Sequence, residues 1–199
     1  MIGAALLGCV VALAAVVLWL RSGPDPGRFA ELQQPRLTRL EAQRMLVVDA
    51  TGDPNAVASG AFKTLFAAYY KVNGVSRMSR PPAPRVRWPR ILDAPKAEWQ
   101  GHYGLPLPAD STFDGAAQGA AIETWEYGDV AEILHVGPYS AEQPDIERLQ
   151  RFVAAKNLVT IGDHEEEYVS GPGMFFAGDP AKYLTIIRLR VAPARLTEN

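Results

Sequence analysis

The chain has little from which to build conventional chemistry. It has one cysteine, Cys9, and a lone thiol forms neither an intrachain disulfide nor a cysteine metal cluster. Twenty Lys and Arg against 22 Asp and Glu leave a formal net charge of -2, so no global field draws the protein toward nucleic acid. There is no G-x-S-x-G elbow, no phosphate-binding P-loop and no dinucleotide glycine fingerprint opening a helix after a strand. His164-Glu165 could pass for half of a zinc-protease motif, but Tyr168 stands where the second histidine would be, and the segment alternates as a strand does. No metal and no cofactor are expected.

Long apolar runs are also scarce, with one exception. Residues 1–20, MIGAALLGCVVALAAVVLWL, are uncharged throughout and match the roughly 20 residues with which a helix crosses a bilayer. Trp19 suits the interface, and Arg21 and the loop Ser-Gly-Pro-Asp-Pro-Gly end the run. A cleavable signal would need a basic start, a shorter apolar core and a small-residue cleavage site. Residues 1–21 therefore read as a transmembrane helix and the membrane as a partner. Arg21, Arg28, Arg36 and Arg39 follow the run, which favours a single-pass protein with its domain in the cytoplasm, the periplasm being the alternative.

Residues 22–44 are polar and proline-interrupted and read as a linker, residues 45–192 as one folded domain and 193–199 as a tail. Met45 to Val48 is a strand-like run. Asp53-Pro54 offers an N-cap and a first-turn proline to a helix carrying Val57, Ala61, Leu65, Ala68, Tyr69 and Val72, with Asn73-Gly74 as its stop. Residues 81–95, where Arg85, Val86, Arg87 and Trp88 alternate basic and apolar between prolines, and residues 99–105, before another proline cluster, read as two exposed or edge strands. Residues 121–125 and 130–134 are strand segments about Tyr127-Gly128-Asp129. A helix then follows, with Ser140 and Gln143 as capping box and Ile146, Leu149, Phe152 and Val153 as its buried stripe. Residues 160–170 and 183–191 close the chain as strands. The expected fold is α+β: duplicated β-α-β-β units forming one antiparallel sheet, both helices on one face, and a hollow between the halves.

Three adjacent carboxylates, Glu165, Glu166 and Glu167, make residues 162–168 the most unusual segment. Period two puts His164, Glu166 and Tyr168 on one face and Glu165 and Glu167 on the other. If the first set faces the hollow, one carboxylate sits among aromatic rings, which suits a cationic ligand through charge and cation-π contact. The alternative is that all three are solvated. Trp88, Trp99, Tyr103, Trp125 and Tyr139 are all eligible for the core; Trp99, Tyr139 and Trp125 are the candidates for the hollow's wall. His102 and His135 read as hydrogen-bonded structural residues.

Particular strings in the second half resemble the GyrI-like small-molecule-binding domain, the effector-binding module of AraC-type and MerR-type regulators. VAEILHVGPY (residues 130–139) resembles that family's strand into H-x-G-x-Y, and IERLQRFVAAKNL (146–158) its second helix. GDHEEEYVSGP (162–172) resembles its E-x-Y-x-x-x-P strand, and KYLTIIRLRV its final strand. The resemblance covers residues 120–191; over 45–108 it is architectural only. It implies that Glu166 is the pocket carboxylate and Tyr168 its neighbour, and that the ligands are diverse, often cationic and aromatic. No helix-turn-helix accompanies the domain, so nucleic acid is not an expected partner. Three functions stay open: a membrane-tethered sensor or sequestering protein for small molecules, a hydrolase of reactive small molecules with Glu166 as general base, and a protein-interaction module docking through the proline-rich segment around Trp88.

Overall fold

The computed structural model describes residues 26–89, 95–114, 119–172 and 178–194. The chain divides into two compact units, Met1–Ala30 and Glu31–Asn199, and the second carries the fold. Its strands are β1 (Arg36–Leu40), β2 (Gln43–Thr51), β3 (Arg85–Trp88), β4 (Gln100–Pro106), β5 (Ala121–Trp125), β6 (Gly128–Val136), β7 (Leu158–Ser170) and β8 (Leu184–Pro193). Two helices, α1 (Pro54–Tyr69) and α2 (Gln143–Ala155), complete it. The eight strands form one sheet in the order β1-β6-β8-β7-β3-β4-β2-β5, every pairing antiparallel. Reading outward from the centre, β7-β8-β6-β1 mirrors β3-β4-β2-β5.

Local chemistry explains both helices. Asp53 accepts from the Asn55 backbone N–H at 2.9 Å, Pro54 fills the first position, and Ala61, Leu65, Ala68 and Tyr69 form the buried stripe of α1. In α2 the stripe is Leu149 and Val153, with Ile146 and Phe152 packed beside them. Its start differs from expectation. Ser140 lies in a 3-10 turn, Tyr139–Ala141, and the N-cap is Glu142, whose side chain makes no capping hydrogen bond.

Both helices lie on one face. Val86 belongs to the α1 core with Leu46, Val48, Tyr103 and Leu105, and Ile187 to the α2 core with Ala131, Ile133 and Leu189. The register places Val86 opposite Glu166 and Glu166 opposite Ile187, and residues directly opposite share a face. The other face is closed by curvature. The β1/β6 register runs on unbroken into β2/β5, Leu40 facing Gly128 and Gln43 facing Trp125. Three residue steps reach about 11 Å, whereas a flat sheet would hold β1 and β2 about 29 Å apart. The sheet must therefore curl until its ends meet, burying Met45, Val47, Trp125, Tyr127 and Val130 on its inner side.

Several expectations are corrected. Residues 36–40, read as linker, form β1 and pair with β6. Strands β3 and β4 are central, not edge strands: β3 lies between β7 and β4. Pro84 and Pro89 fall just outside its four residues, so the proline-rich surroundings remove no ladder donor. The single-pass membrane location, with a cytoplasmic or periplasmic domain, and the transmembrane helix in the fold class are also corrected: among the described residues no helix is long and apolar enough to cross a membrane. Residues 1–21, on which that expectation rested, lie outside the described residues.

Candidate functional site

The three consecutive glutamates separate by the pleat. Glu165 and Glu167 turn to the inner side of the curl. Glu165, 3% exposed, accepts from Arg188 Nη1 at 2.7 Å, Arg87 Nε at 2.8 Å and the Tyr127 hydroxyl at 3.1 Å. Arg188, 5% exposed, also donates to Glu132 at 3.1 Å and to Glu167 at 3.3 Å. Burial works against its charge, but Glu165, Glu167 and Glu132 outweigh that and raise the guanidinium pKa. Arg36 donates to Glu132 at 2.7 Å. Arg85 ion-pairs with Glu167 at 3.0 Å, without an aligned hydrogen bond from Nε, and donates to the Tyr127 hydroxyl at 2.8 Å. The reading that all three glutamates are solvated thus fails for Glu165. These inner acids are saturated by arginines, the condition under which buried charge is tolerated.

Trp125 belongs with them. It packs with Met45, Val47 and Tyr127, and the Arg87 guanidinium stands 4.2 Å from its ring centroid. The structure does not bring it to the other candidates, because β5 pairs with β2 in the register that aligns Trp125 with Gln43.

The helix-bearing face gathers the rest. Helix α1 stands over β2 and β4, and α2 over β6 and β7, leaving His164, Glu166 and Tyr168 on the central strand between them. Glu166 accepts from the Tyr168 hydroxyl at 2.5 Å and lies 3.1 Å from His164 Nε2. Burial, the Glu166 charge and the bond to it raise the Tyr168 pKa well above the ordinary tyrosine value, so this hydroxyl stays a donor. The rings form one connected set. Tyr139 lies 5.2 Å from Tyr168, Phe62 lies 5.9 Å from Tyr168 and 5.1 Å from Tyr103, and Trp88 lies 5.9 Å from both Tyr103 and Trp99. Most contacts are edge-to-face, a favoured aromatic geometry. Trp88 is buried here, which removes it as a docking side chain for a protein partner.

Two glycines hold this wall together. A Cβ at Gly101 would lie 2.7 Å from the Tyr103 ring and 2.9 Å from Trp88, and one at Gly171 would lie 2.5 Å from the Tyr139 hydroxyl.

Sequence reasoning missed two members. The Tyr103 hydroxyl is buried without a hydrogen-bond partner among the described residues, and burial together with the Glu166 charge pushes its pKa up to about 12. Glu142 is 5% exposed and its Oε1 has no hydrogen-bond partner among the described residues. Burial first, then the charges of Glu166 and Asp145, push its pKa up to about 9, which favours the neutral carboxylic acid over the carboxylate. Tyr139 and Tyr168 are electrostatically linked to Glu142, which places it beside the same rings. The one sequence signal was an acidic residue immediately before α2, and that position ordinarily signals a helix cap. His135, by contrast, is buried between Asp145 at 2.9 Å and the Pro138 carbonyl at 3.1 Å, and His102 pairs with Asp49 at 2.6 Å.

No family model matches the sequence, and no curated protein does. Solved structures share the fold. An uncharacterized conserved protein from Listeria innocua superposes with a TM-score of 0.66 at 22% identity, over 80% of this chain and 93% of that one. A hydrolase from Listeria innocua gives 0.66 at 21% identity, over 84% and 98%. The C-terminal domain of EcmrR gives 0.64 at 12% identity, over 80% and 98%. At these identities the likeness establishes the α+β fold and nothing finer.

Proposed function

We propose that this domain binds small amphipathic or cationic aromatic molecules, acting as a sensor or sequestering module, with Glu166 as the anionic anchor. The observation that carries the reading is a contrast between the two sheet faces. Inner carboxylates are matched by arginines, whereas Glu166 has no arginine or lysine partner among the described residues, only the Tyr168 hydroxyl and His164, and acts on the Tyr103, Tyr139 and Tyr168 rings. A half-buried carboxylate with no guanidinium or ammonium beside it is costly to maintain, and a ligand cation stacked on the neighbouring rings supplies what is missing. Tyr168 and His164 hold the carboxylate in place, so its orientation is set before a ligand arrives. The resemblance to the GyrI-like domain independently points to the same residue.

The test is titration of the protein with a panel of cationic aromatic dyes, read through quenching of tryptophan fluorescence, beside Glu166→Gln. The variant should weaken binding of cations by tenfold or more and leave neutral aromatics unaffected, the scale expected for a charge-assisted contact. Equal affinities in both proteins would remove the carboxylate from the account.

A second reading is favoured by Glu142. A protonated carboxyl beside Glu166 is the arrangement in which one acid donates a proton while the other activates water. The fold shared with a hydrolase is compatible with it. Product formation from an electrophilic small molecule under turnover conditions, abolished in Glu166→Gln, would select hydrolysis over binding.

A further inference from the structure

Glu142 is built in a way that neither helix capping nor folding explains. An acid at a helix N-cap ordinarily accepts a backbone N–H from the first turn, yet this one makes no capping bond. It is 5% exposed and leaves Oε1 unpaired among the described residues. An unsatisfied buried polar atom costs about as much as a lost hydrogen bond, and Glu142 is not alone: the Tyr103 hydroxyl, from the opposite half of the sheet, is orphaned in the same way. The ionisable groups acting on Glu142 are Glu166 and Tyr168 of β7, Tyr139 of the preceding turn and Asp145 of α2. None of these supplies a positive charge. The inner face shows what this chain does when it buries an ionised carboxylate: it surrounds the group with guanidinium.

We infer that Glu142 is a second recognition residue, offering the hydrogen of its neutral carboxylic acid to the ligand, so that the site takes an aromatic monocation that also carries an uncharged hydrogen-bond acceptor such as an ether or carbonyl oxygen. The inference rests on the small-molecule reading of Glu166 and narrows its ligand class. Glu166 receives the cationic end, the rings hold the flat body, and Glu142 donates to the acceptor, with the Tyr103 hydroxyl as a further donor. A site with one ionised carboxylate matches one positive charge. A dication would have to strip the proton from Glu142 to be matched, so its binding would release a proton where that of a monocation would not.

The experiment uses matched probes: N-methylquinolinium ions bearing a methoxy group at successive ring positions, each paired with the ethyl compound of the same shape. Isothermal titration near pH 7 compares the full chain with Glu142→Gln, Glu142→Leu and Glu166→Gln, after thermal melts confirm that each variant folds. In the unaltered protein at least one methoxy isomer should bind about tenfold tighter than its ethyl partner, the scale of one buried hydrogen bond. Glu142→Gln keeps a donor and should keep that preference. Glu142→Leu should abolish it, so that each methoxy compound binds no tighter than its ethyl partner. Binding enthalpies in buffers of different ionisation heat should show no net proton release for these monocations.

The inference is overturned if no methoxy isomer is preferred, if the preference survives in Glu142→Leu, or if Glu142→Gln loses as much as Glu142→Leu. In each of those cases Glu166→Gln still weakens every probe, and the small-molecule reading stands. Where neither methoxy nor ethyl probes bind, or Glu166→Gln changes nothing, that reading fails and takes the inference with it.

Discussion

Neighbouring glutamates in one strand should answer the same substitution in opposite ways. Glu165→Gln removes the charge that three donors converge on, at 2.7, 2.8 and 3.1 Å, and leaves Arg87 and Arg188 short of a counter-ion inside the curl. Breaking a buried pair by deleting one partner costs about 3–5 kcal/mol, and in a domain of this size each kcal/mol moves the melting temperature by about 2–4 °C. A fall of about 10 °C is therefore expected. Glu166→Gln preserves shape and an acceptor oxygen for Tyr168 and removes no partner of a buried arginine. Its effect on stability should stay within about 1 kcal/mol. Urea unfolding followed by circular dichroism measures both, with the slope against denaturant checked for constancy. A Glu166→Gln protein as destabilised as Glu165→Gln would refute the division between structural and ligand-facing acids, as would a Glu165→Gln protein that loses nothing.

Other outcomes follow from the same geometry. Glu142 has a folded pKa raised to about 9 from an ordinary 4.5, so between those values the folded state holds more protons than the unfolded one. Stability should accordingly fall as pH rises from about 5 to 9, and the difference in urea midpoint between the unaltered protein and Glu142→Gln should widen in the variant's favour over that window; a difference independent of pH would contradict the assignment. Gly101→Ala forces the Trp88 and Tyr103 rings apart, at about 1–3 kcal/mol for overpacking, and should shift the tryptophan emission maximum; unchanged emission and stability would count against the ring geometry. Gly171→Ala drives into the Tyr139 hydroxyl and should weaken dye binding more than it lowers the melting temperature, which paired titration and melting curves would show.

Period two was enough to place His164, Glu166 and Tyr168 together, since a strand's alternation depends on nothing beyond the strand. The helices were legible for a similar reason: the stripe through Ala61, Leu65 and Ala68, and that through Leu149 and Val153, are local. What failed to show was everything set by pairing. Arg36 to Leu40 looks like a tether until β6 lies beside it, and prolines around Arg85 to Trp88 suggest an edge unless one knows that they miss the four paired residues. Trp125 looks as eligible for the hollow as Tyr139, because its side is decided by a register with β2 that no local pattern encodes. Glu142 and Tyr103 were hidden for a different reason. Their mark is a missing hydrogen bond, and an absence of that kind exists only once the surroundings are in place.

The central claim is that Glu166 waits for a positive charge within an aromatic wall. The most direct measurement is the affinity of the unaltered protein for an N-methylquinolinium ion and for the neutral naphthalene of the same shape. The account predicts that the cation binds at least tenfold tighter, with the preference lost in Glu166→Gln; equal binding of the two compounds would contradict it.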